Sequence, residues 1–461
     1  MQKNVLKALE EKLGDQNILT GEKLNDRYSH IWEMDKPLNA KAVLFPKSTI
    51  EISQILKICS AFQQSVVVHG GLTNLVGSTE CSSDDIVIAM EKMNSIEEFD
   101  ELGRTIIVQA GVILEHIHQL VEEKDLLFPM TFGAKGSAQI GGVISTNAGG
   151  LRVFRYGMTR NLILGLEVVL ADGTVISSMK KVIKDNSGYD LKHLFIGSEG
   201  TLGVITRAVL KLQQKPKSRN SAFVSLNDYK KVLELLRFVD SALPGVVSGY
   251  EILWERNFIA MTSQPSMLSP PLPYGYSYYI LLETLGGNQN KDYIDLENIL
   301  AEAFEKEIIL DAAIAQSSKN QELFWQIRED VDVLVSQCKN VQNFDVSLPV
   351  SEIGNYVDLV FEKLDNIPEV ENYFAHGHVA DGNIHFLVGK MHNDASLTKI
   401  INNIVYEPIK KLGGSISAEH GIGLHKKEYV SFCRTEEEID LMKRLKHSMD
   451  PKNILNRNKI L

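Results

Sequence analysis

Six of the eighteen positions from 133 to 150 are glycine: Gly133, Gly136, Gly141, Gly142, Gly149 and Gly150. Glycine supplies only 33 of the 461 residues overall, so a cluster this dense needs a local reason. Gly70, Gly71 and Gly77 form a second cluster, and Gly197, Gly200 and Gly203 a third. Successive glycines let a backbone turn through positive φ and present bare N–H groups in a concave nest, which suits a phosphate or pyrophosphate. Tight turns in a β-rich domain would leave the same mark at any one cluster, but three between residues 70 and 203 favour a dinucleotide-like ligand. No GxGxxG follows a strand and no GxxxxGK[ST] or HExxH occurs, which disfavours a Rossmann NAD site, a P-loop and a zincin.

The rest of the chain reads as an ordinary globular protein. Hydrophobic residues make up 44% and charged residues 23%, and the formal charge is -11, a balance that repels nucleic acid and anionic membrane surfaces. No stretch reaches the roughly 20 apolar residues of a spanning helix. The start, MQKNVLKALEEKLGDQ, reads as an amphipathic helix, not a signal peptide, and places the chain in the cytoplasm. Cys59, Cys81, Cys338 and Cys433 form no CxxC pair, which argues against a disulfide framework, an iron-sulfur cluster or a cysteine zinc site.

The organisation is α+β. Ser48 and Glu51 read as a capping box before Ile52, Ile55, Leu56, Cys59 and Phe62 at helical spacing. The run SVVVHGG follows as a buried strand delivered into a glycine loop, and β-branched runs alternate with glycines up to residue 212. The polar, aperiodic QQKPKSRNS at 213–221 reads as a linker. Helical patterns at 228–239, 291–307, 319–337 and 352–364 then alternate with strand-like runs at 276–283 and 373–380, as expected of an antiparallel sheet carrying helices. Pro265, Pro270, Pro271 and Pro273 mark a surface loop or a substrate lid. The expected domains are 1–212, 213–424 and a helical C-terminal segment, 425–461, packing back on the first domain. No internal repeat or low-complexity tract interrupts them.

HVADGNIH at 378–385 is the most informative segment of the second half. With Asp381-Gly382 as a two-residue hairpin turn, His378 pairs with His385, and directly opposed Cβ atoms lie about 4.5–5.5 Å apart on one sheet face. The two imidazoles can then converge on one ion; surface or hydrogen-bonded histidines are the alternative reading of the pair. Glu419 and His420, in GGSISAEHGIG, sit between small residues and glycines; as neighbours on a strand end they point differently, so one binds metal while the other faces substrate. A carboxylate joined to the two histidines, with a position left open, would suit zinc, with Mn, Fe or Co as alternatives.

HGGLTNLVGS (69–78), FPMTFGAKGSAQIGGVISTNAGG (128–150), YGMTRNLILGLEVVLADGTV (156–175) and KDNSGYDLKHLFIGSEGTLGVIT (184–206) together resemble the FAD domain of the vanillyl-alcohol oxidase and p-cresol methylhydroxylase flavoprotein superfamily. The resemblance runs from about residue 40 to the C-terminus, weakest over 213–320, and falls in the FAD-dependent D-2-hydroxyacid dehydrogenase branch. That branch spans D-2-hydroxyglutarate dehydrogenase, D-lactate dehydrogenase and the flavin subunit of glycolate oxidase.

It implies a two-subdomain FAD-binding domain plus an antiparallel-sheet substrate, or cap, domain with flanking helices and a helical C-terminal segment. The FAD pyrophosphate would be held by His69, Gly70, Gly71, Leu72, Thr73, Asn74 and Gly77, and by Gly133, Ala134, Gly136, Ser137, Gly141, Gly142, Asn147 and Gly150. Glu199, Gly200, Val204 and Ile205 would line adenine and isoalloxazine. Leu72 stands where many members have glycine. Covalent members use a histidine after the paired glycines; His69 precedes them, so the expected FAD is dissociable.

The resemblance also assigns His378, His385 and Glu419 to a divalent metal and His420 to the base that takes the substrate's hydroxyl proton, with hydride passing from C2 to flavin N5. Arg328, in FWQIRED, matches the arginine that clamps the substrate carboxylate; an ordinary ion pair with Asp332 is the alternative. His376 matches no ligand and reads as structural, and His30, His116, His118, His193, His425 and His447 read as unremarkable.

Three positions that help D-2-hydroxyglutarate dehydrogenases hold substrate, a threonine, a lysine and an asparagine, carry Asp332, Asn343 and Leu387 here. A D-2-hydroxy acid with a neutral or cationic side chain is therefore expected over D-2-hydroxyglutarate. Electrons must leave to an electron-transfer flavoprotein, a quinone or another carrier, and a homodimer is allowed. The competing readings are a flavin-dependent, non-redox alkyl transferase and a flavin subunit that works only within a glycolate or lactate oxidase complex.

Overall fold

The computed structural model describes residues 4–266 and 268–461. The chain forms two units. The first collects Met1–Gly150, Gly157–Lys215 and Glu419–Leu461; the second collects Leu151–Tyr156 and Pro216–Ala418.

In the first unit, β1 (Ile18–Leu19), β2 (Ala42–Leu44), β3 (Val66–His69) and β4 (Ile86–Ala89) form a sheet in the order β1-β2-β4-β3, with β2, β4 and β3 parallel. Parallel strands need a crossover, and the helix Thr49–Phe62 provides it between β2 and β3. Ser48 caps that helix through the Glu51 N–H at 3.3 Å. Glu51 reaches back to the Lys47 N–H and not to that of Ser48, so the reciprocal half of the expected capping box lands one residue early. Ile52, Ile55, Leu56 and Cys59 are fully buried, while Phe62 is exposed because the chain turns left-handed at Gln63 immediately after it.

A second, antiparallel sheet follows: β5 (Ile96–Asp100), β6 (Thr105–Gln109), β8 (Ile163–Val169), β9 (Val175–Ser178) and β10 (Val204–Lys211), in the order β5-β6-β10-β8-β9. A short ribbon pairs β7 (Leu126–Leu127) with β11 (Gln213–Gln214). The C-terminal tail closes on this unit: Leu455 bridges Val66, and the Asn456 side chain accepts from the Val68 N–H and donates to the Glu199 carbonyl.

The second unit is built on a seven-stranded antiparallel sheet of β12 (Ser218–Leu226), β13 (Val247–Trp254), β14 (Tyr278–Gly286), β15 (Asp311–Ile314), β16 (Gln342–Ser347), β17 (Val370–His378) and β18 (Asn383–Lys390). Their order is β15-β12-β14-β13-β17-β18-β16. Helices at Tyr229–Ala242, Gln289–Glu305 and Ile353–Asp365 lie close to the expected ranges. The expected helix at 319–337 is two, Ser318–Glu329 and Val331–Ser336, broken at Asp330 (φ -77°, ψ 68°).

The expected linker at 213–221 is mostly strand, since β11 and β12 leave only residues 215–217 between them. The first boundary therefore falls after Lys215, and the second at Ala418 in place of residue 424. In the proline-rich stretch, Leu272 is buried in the apolar cluster that holds Phe258 and Tyr279.

Candidate active site

In the first unit, β3 delivers His69 into the loop 70–78. His69 is buried, its Nε2 sits 2.8 Å from the Thr79 carbonyl, and burial lowers its pKa to about 3. The ring is therefore neutral and committed to the loop's own backbone. Asn74 organises the same loop, accepting from the Ser78 N–H at 3.0 Å and donating to Thr79 Oγ1. Leu72 adopts φ 57°, the left-handed region, so the backbone keeps the conformation a glycine would favour.

The glycines divide by what surrounds them. A Cβ on Gly71 would collide with the backbone of Ser137 and Ala138, one on Gly141 with Ala110, and one on Gly150 with the Thr131 carbonyl. These three permit close approach of one strand of backbone to another. Gly133 and Gly142 face open space instead. Beside Gly70, the Gln139 side-chain oxygen is buried without a partner. Bare backbone next to open space and an orphaned acceptor fit a dinucleotide, in keeping with the donors and hydroxyls such a ligand offers.

Glu199 differs from expectation. Its buried carboxylate accepts from Ser78 Oγ (2.6 Å), the Ile422 N–H (2.7 Å) and the Gly423 N–H (2.9 Å), so it ties the 70–78 loop to the glycines after His420. Burial still pushes its carboxyl above the usual range. Val204 and Ile205 lie on β10 in the apolar core of this unit.

In the second unit the histidine hairpin is wider than expected. Val379–Asp381 form a short 3-10 turn closed by Gly382, whose φ of 88° suits only glycine comfortably. The register shifts with it: His376, not His378, lies opposite His385, and the rings of His376 and His378 are each centred 5.4 Å from that of His385. His376 is buried and lies 3.1 Å from the Asn257 side chain; burial and nearby Arg328 hold its pKa well below the usual value.

The adjacent strand brings a residue that sequence reasoning missed. Glu251 on β13 lies opposite His378 and is 1% exposed. Its Oε1 is 2.7 Å from His378 Nδ1 and its Oε2 accepts from Arg328 Nε at 2.8 Å. Burial would raise this carboxyl, but His378 and Arg328 together hold it below its usual range. Arg328 is itself buried and bonds to Glu251, not to Asp332, which lies exposed on the next helix. The one signal in the sequence was a lone carboxylate inside the apolar strand VSGYEILW.

Asn343 and Leu387 are cross-strand partners; Asn343 is exposed and Leu387 sits in an apolar cluster with Phe374 and Leu253. Asp345, two residues along β16, pairs with His385 and is fully buried. It accepts from the Asn383 side chain (2.9 Å), Ser417 Oγ (3.2 Å) and the Ala418 N–H (3.1 Å). Glu419 and His420 are thus one and two peptide bonds from an anchored residue. Residues 416–422 are irregular and do not form the strand end expected for these two neighbours. Carboxylate and imidazole ligands fit zinc, manganese, iron or cobalt.

Residues 215–460 match the family described as FAD linked oxidases, C-terminal domain, and residues 40–178 match an FAD binding domain. D-2-hydroxyglutarate dehydrogenase, mitochondrial, of Arabidopsis thaliana is 37% identical over 451 residues, which cover 98% of this chain and 80% of that protein. The chain belongs to the FAD-linked D-2-hydroxyacid dehydrogenases. The Danio rerio D-2-hydroxyglutarate dehydrogenase, mitochondrial, is 38% identical over 423 residues, covering 92% of this chain and 79% of its own. Alkyldihydroxyacetonephosphate synthase superposes with a TM-score of 0.75 at 15% identity, covering 99% of this chain and 86% of the other. That likeness shows the vanillyl-alcohol oxidase type of fold and says nothing for the transferase reading. This dehydrogenase is an FAD-linked oxidoreductase, the activity class its family defines.

The cytoplasmic placement is overturned: the Arabidopsis and Danio relatives are named mitochondrial, which points to that compartment. Among the described residues, no helix is long and apolar enough to cross a membrane.

Proposed function

We propose that this dehydrogenase oxidises a D-2-hydroxy acid to the 2-oxo acid with dissociable FAD and one divalent ion, zinc in preference to manganese, iron or cobalt. His378, His385 and Glu419 would hold the ion, and the 70–78 and 133–150 loops the FAD pyrophosphate. Commitment of His69 to Thr79 supports a non-covalent cofactor. When bound, FAD supplies the acceptor for the C2 hydride and the ion lowers the pKa of the C2 hydroxyl. His420 takes the hydroxyl proton on its ring nitrogen. Arg328 receives the substrate carboxylate: Glu251 holds its Nε, and its two Nη groups make no hydrogen bond to the described residues. Asp345 spends its oxygens on Asn383, Ser417 and Ala418 and so reads as the anchor of the ligand segment.

The observation that carries this reading is the pair of imidazoles of His378 and His385, centred 5.4 Å apart on adjacent strands, with the buried Glu251 carboxylate on His378 Nδ1. Dye reduction by a D-2-hydroxy acid should stop on chelation and return with added zinc or manganese; activity that survives complete metal removal would sink it.

For the substrate, none of Asp332, Asn343 and Leu387 is a cation that could meet a second carboxylate, and Arg152 and Arg219 both pair with the buried Glu283. Each lost charged hydrogen bond costs about 1.5–3 kcal/mol, so losing two lowers affinity by roughly two to four powers of ten. A D-2-hydroxy acid with a neutral or cationic side chain is therefore preferred. A screen over D-lactate, D-2-hydroxybutyrate, D-malate, D-2-hydroxyglutarate and larger neutral acids decides it; the highest kcat/KM on D-2-hydroxyglutarate would refute this preference. With four free thiols and no cluster motif, electrons leave to an external flavoprotein, quinone or other carrier.

A further inference from the structure

We propose that Glu251 is a positioning residue that couples carboxylate recognition to the histidine centre, orienting Arg328 with one oxygen and fixing the tautomer of His378 with the other. The proposal rests on the reading of the site given above.

Glu251 occupies a central strand, between Tyr250 and Ile252, both buried. A carboxylate there is costly to desolvate, and an apolar residue would serve the core better. Its two oxygens divide between two partners, 2.7 Å from His378 Nδ1 and 2.8 Å from Arg328 Nε.

Two consequences follow from that division. A proton on Nδ1 is held toward the carboxylate, so a metal bond from His378 falls to Nε2, the arrangement that ligating histidines use when a carboxylate stands behind them. For Arg328, the guanidinium is planar and rigid, so fixing its Nε edge fixes where the two Nη groups point. The same carboxylate cancels the arginine's charge, leaving the fork's geometry, more than net charge, to select the substrate.

The other buried carboxylates on this sheet are differently engaged. Asp345 Oδ1 is 3.8 Å from His385 Nδ1, too far for a hydrogen bond. Glu283 is gripped by Arg152, Arg219 and Ser248. Of these three, Glu251 is the one that bonds to both a ligand histidine and the clamp arginine.

The test uses the FAD-loaded protein and zinc itself, titrated against a chromophoric chelator, with KM, kcat and melting temperature measured in parallel. A glutamine can accept from only one of the two donors, and its amide turns a donor toward the other. Glu251→Gln should weaken zinc binding by about 10- to 100-fold and raise KM at least as much as Arg328→Gln does, with FAD content unchanged. Arg328→Gln should raise KM while zinc affinity stays at the wild-type value. In the double variant the KM effects should fall short of their product, because both act through one contact. Glu283→Gln, which removes a buried carboxylate of no assigned role in recognition, should lower the melting temperature only.

If Glu251→Gln does not fold, Glu251→Met with Arg328→Met removes both charges together and avoids an orphaned ion; it should fold and show the same loss of zinc affinity. Zinc affinity and KM both within twofold of wild type in folded Glu251→Gln would overturn the proposal, as would wild-type zinc affinity in the double methionine variant. A wild-type protein that takes up no zinc, manganese, iron or cobalt would instead overturn the metal reading of the site, and the proposal with it.

Discussion

The two units reach function by opposite routes. The first presents backbone: its glycine loops carry few charged side chains, and their use lies in what glycine omits. The second presents side chains: Glu251, Glu283, Asp345, His376 and His378 are all buried on one sheet, where each would be costly without partners. A loop built on bare backbone fails when anything is added to it, whereas a buried charge network fails when anything is taken away.

The largest effect should come from adding a methyl group at Gly71, where a Cβ meets the Ser137 backbone. Gly71→Ala should yield protein that cannot be reconstituted with FAD, read from the flavin absorbance per chain. Gly142→Ala sharpens the point, since no described residue beyond its own helix lies within 4 Å of its Cβ. It should fold normally and still bind FAD more weakly; wild-type FAD affinity would mean that this glycine does not face the cofactor.

Next is His420→Ala, for which turnover should fall by roughly 10²- to 10⁴-fold with metal and flavin retained. Glu419→Gln should instead lower metal content. If His420→Ala lost metal and Glu419→Gln kept it, the roles of the two neighbours would be exchanged.

A smaller effect tests whether buried charge in the second unit can be purely structural. Glu283→Ala leaves Arg152 and Arg219 facing each other, and the protein should lose about 3–5 kcal/mol in denaturant unfolding. Its KM should stay near wild type. The smallest effect is at Leu72, held at φ 57°. Leu72→Gly relieves about 1–2 kcal/mol of left-handed strain but frees the unfolded chain by about as much. Stability should therefore move by no more than about 1 kcal/mol, with FAD retained; a large loss would show that the leucine side chain itself supports the loop.

Much of the fold was legible because it depends on local pattern. The apolar periodicity of residues 52–59, the strand entering His69, and the helices of the second unit all follow from residues close together in sequence. The misreadings have particular causes. The hairpin at 378–385 takes a wider turn because the chain forms a 3-10 turn at Val379–Asp381 before Gly382, which moves His376 opposite His385. The polar stretch at 213–221 pairs as strand because β7 and β14 offer it partners from far along the chain. The strand end expected at Glu419 and His420 is irregular because the chain just before them is held by Asp345 through the Ala418 N–H, not by a strand partner.

The sequence by itself determined which backbone segments are bare, which face of each helix is apolar, and which residue types capable of acid-base and metal chemistry occur in short motifs. Those properties need only a residue and its near neighbours. Tertiary structure alone decided which carboxylate stands behind which histidine. Glu251 lies 127 residues from His378 and 77 from Arg328, and such pairs are set by strand order and register, which bring distant residues to one sheet face and leave no local periodicity to read.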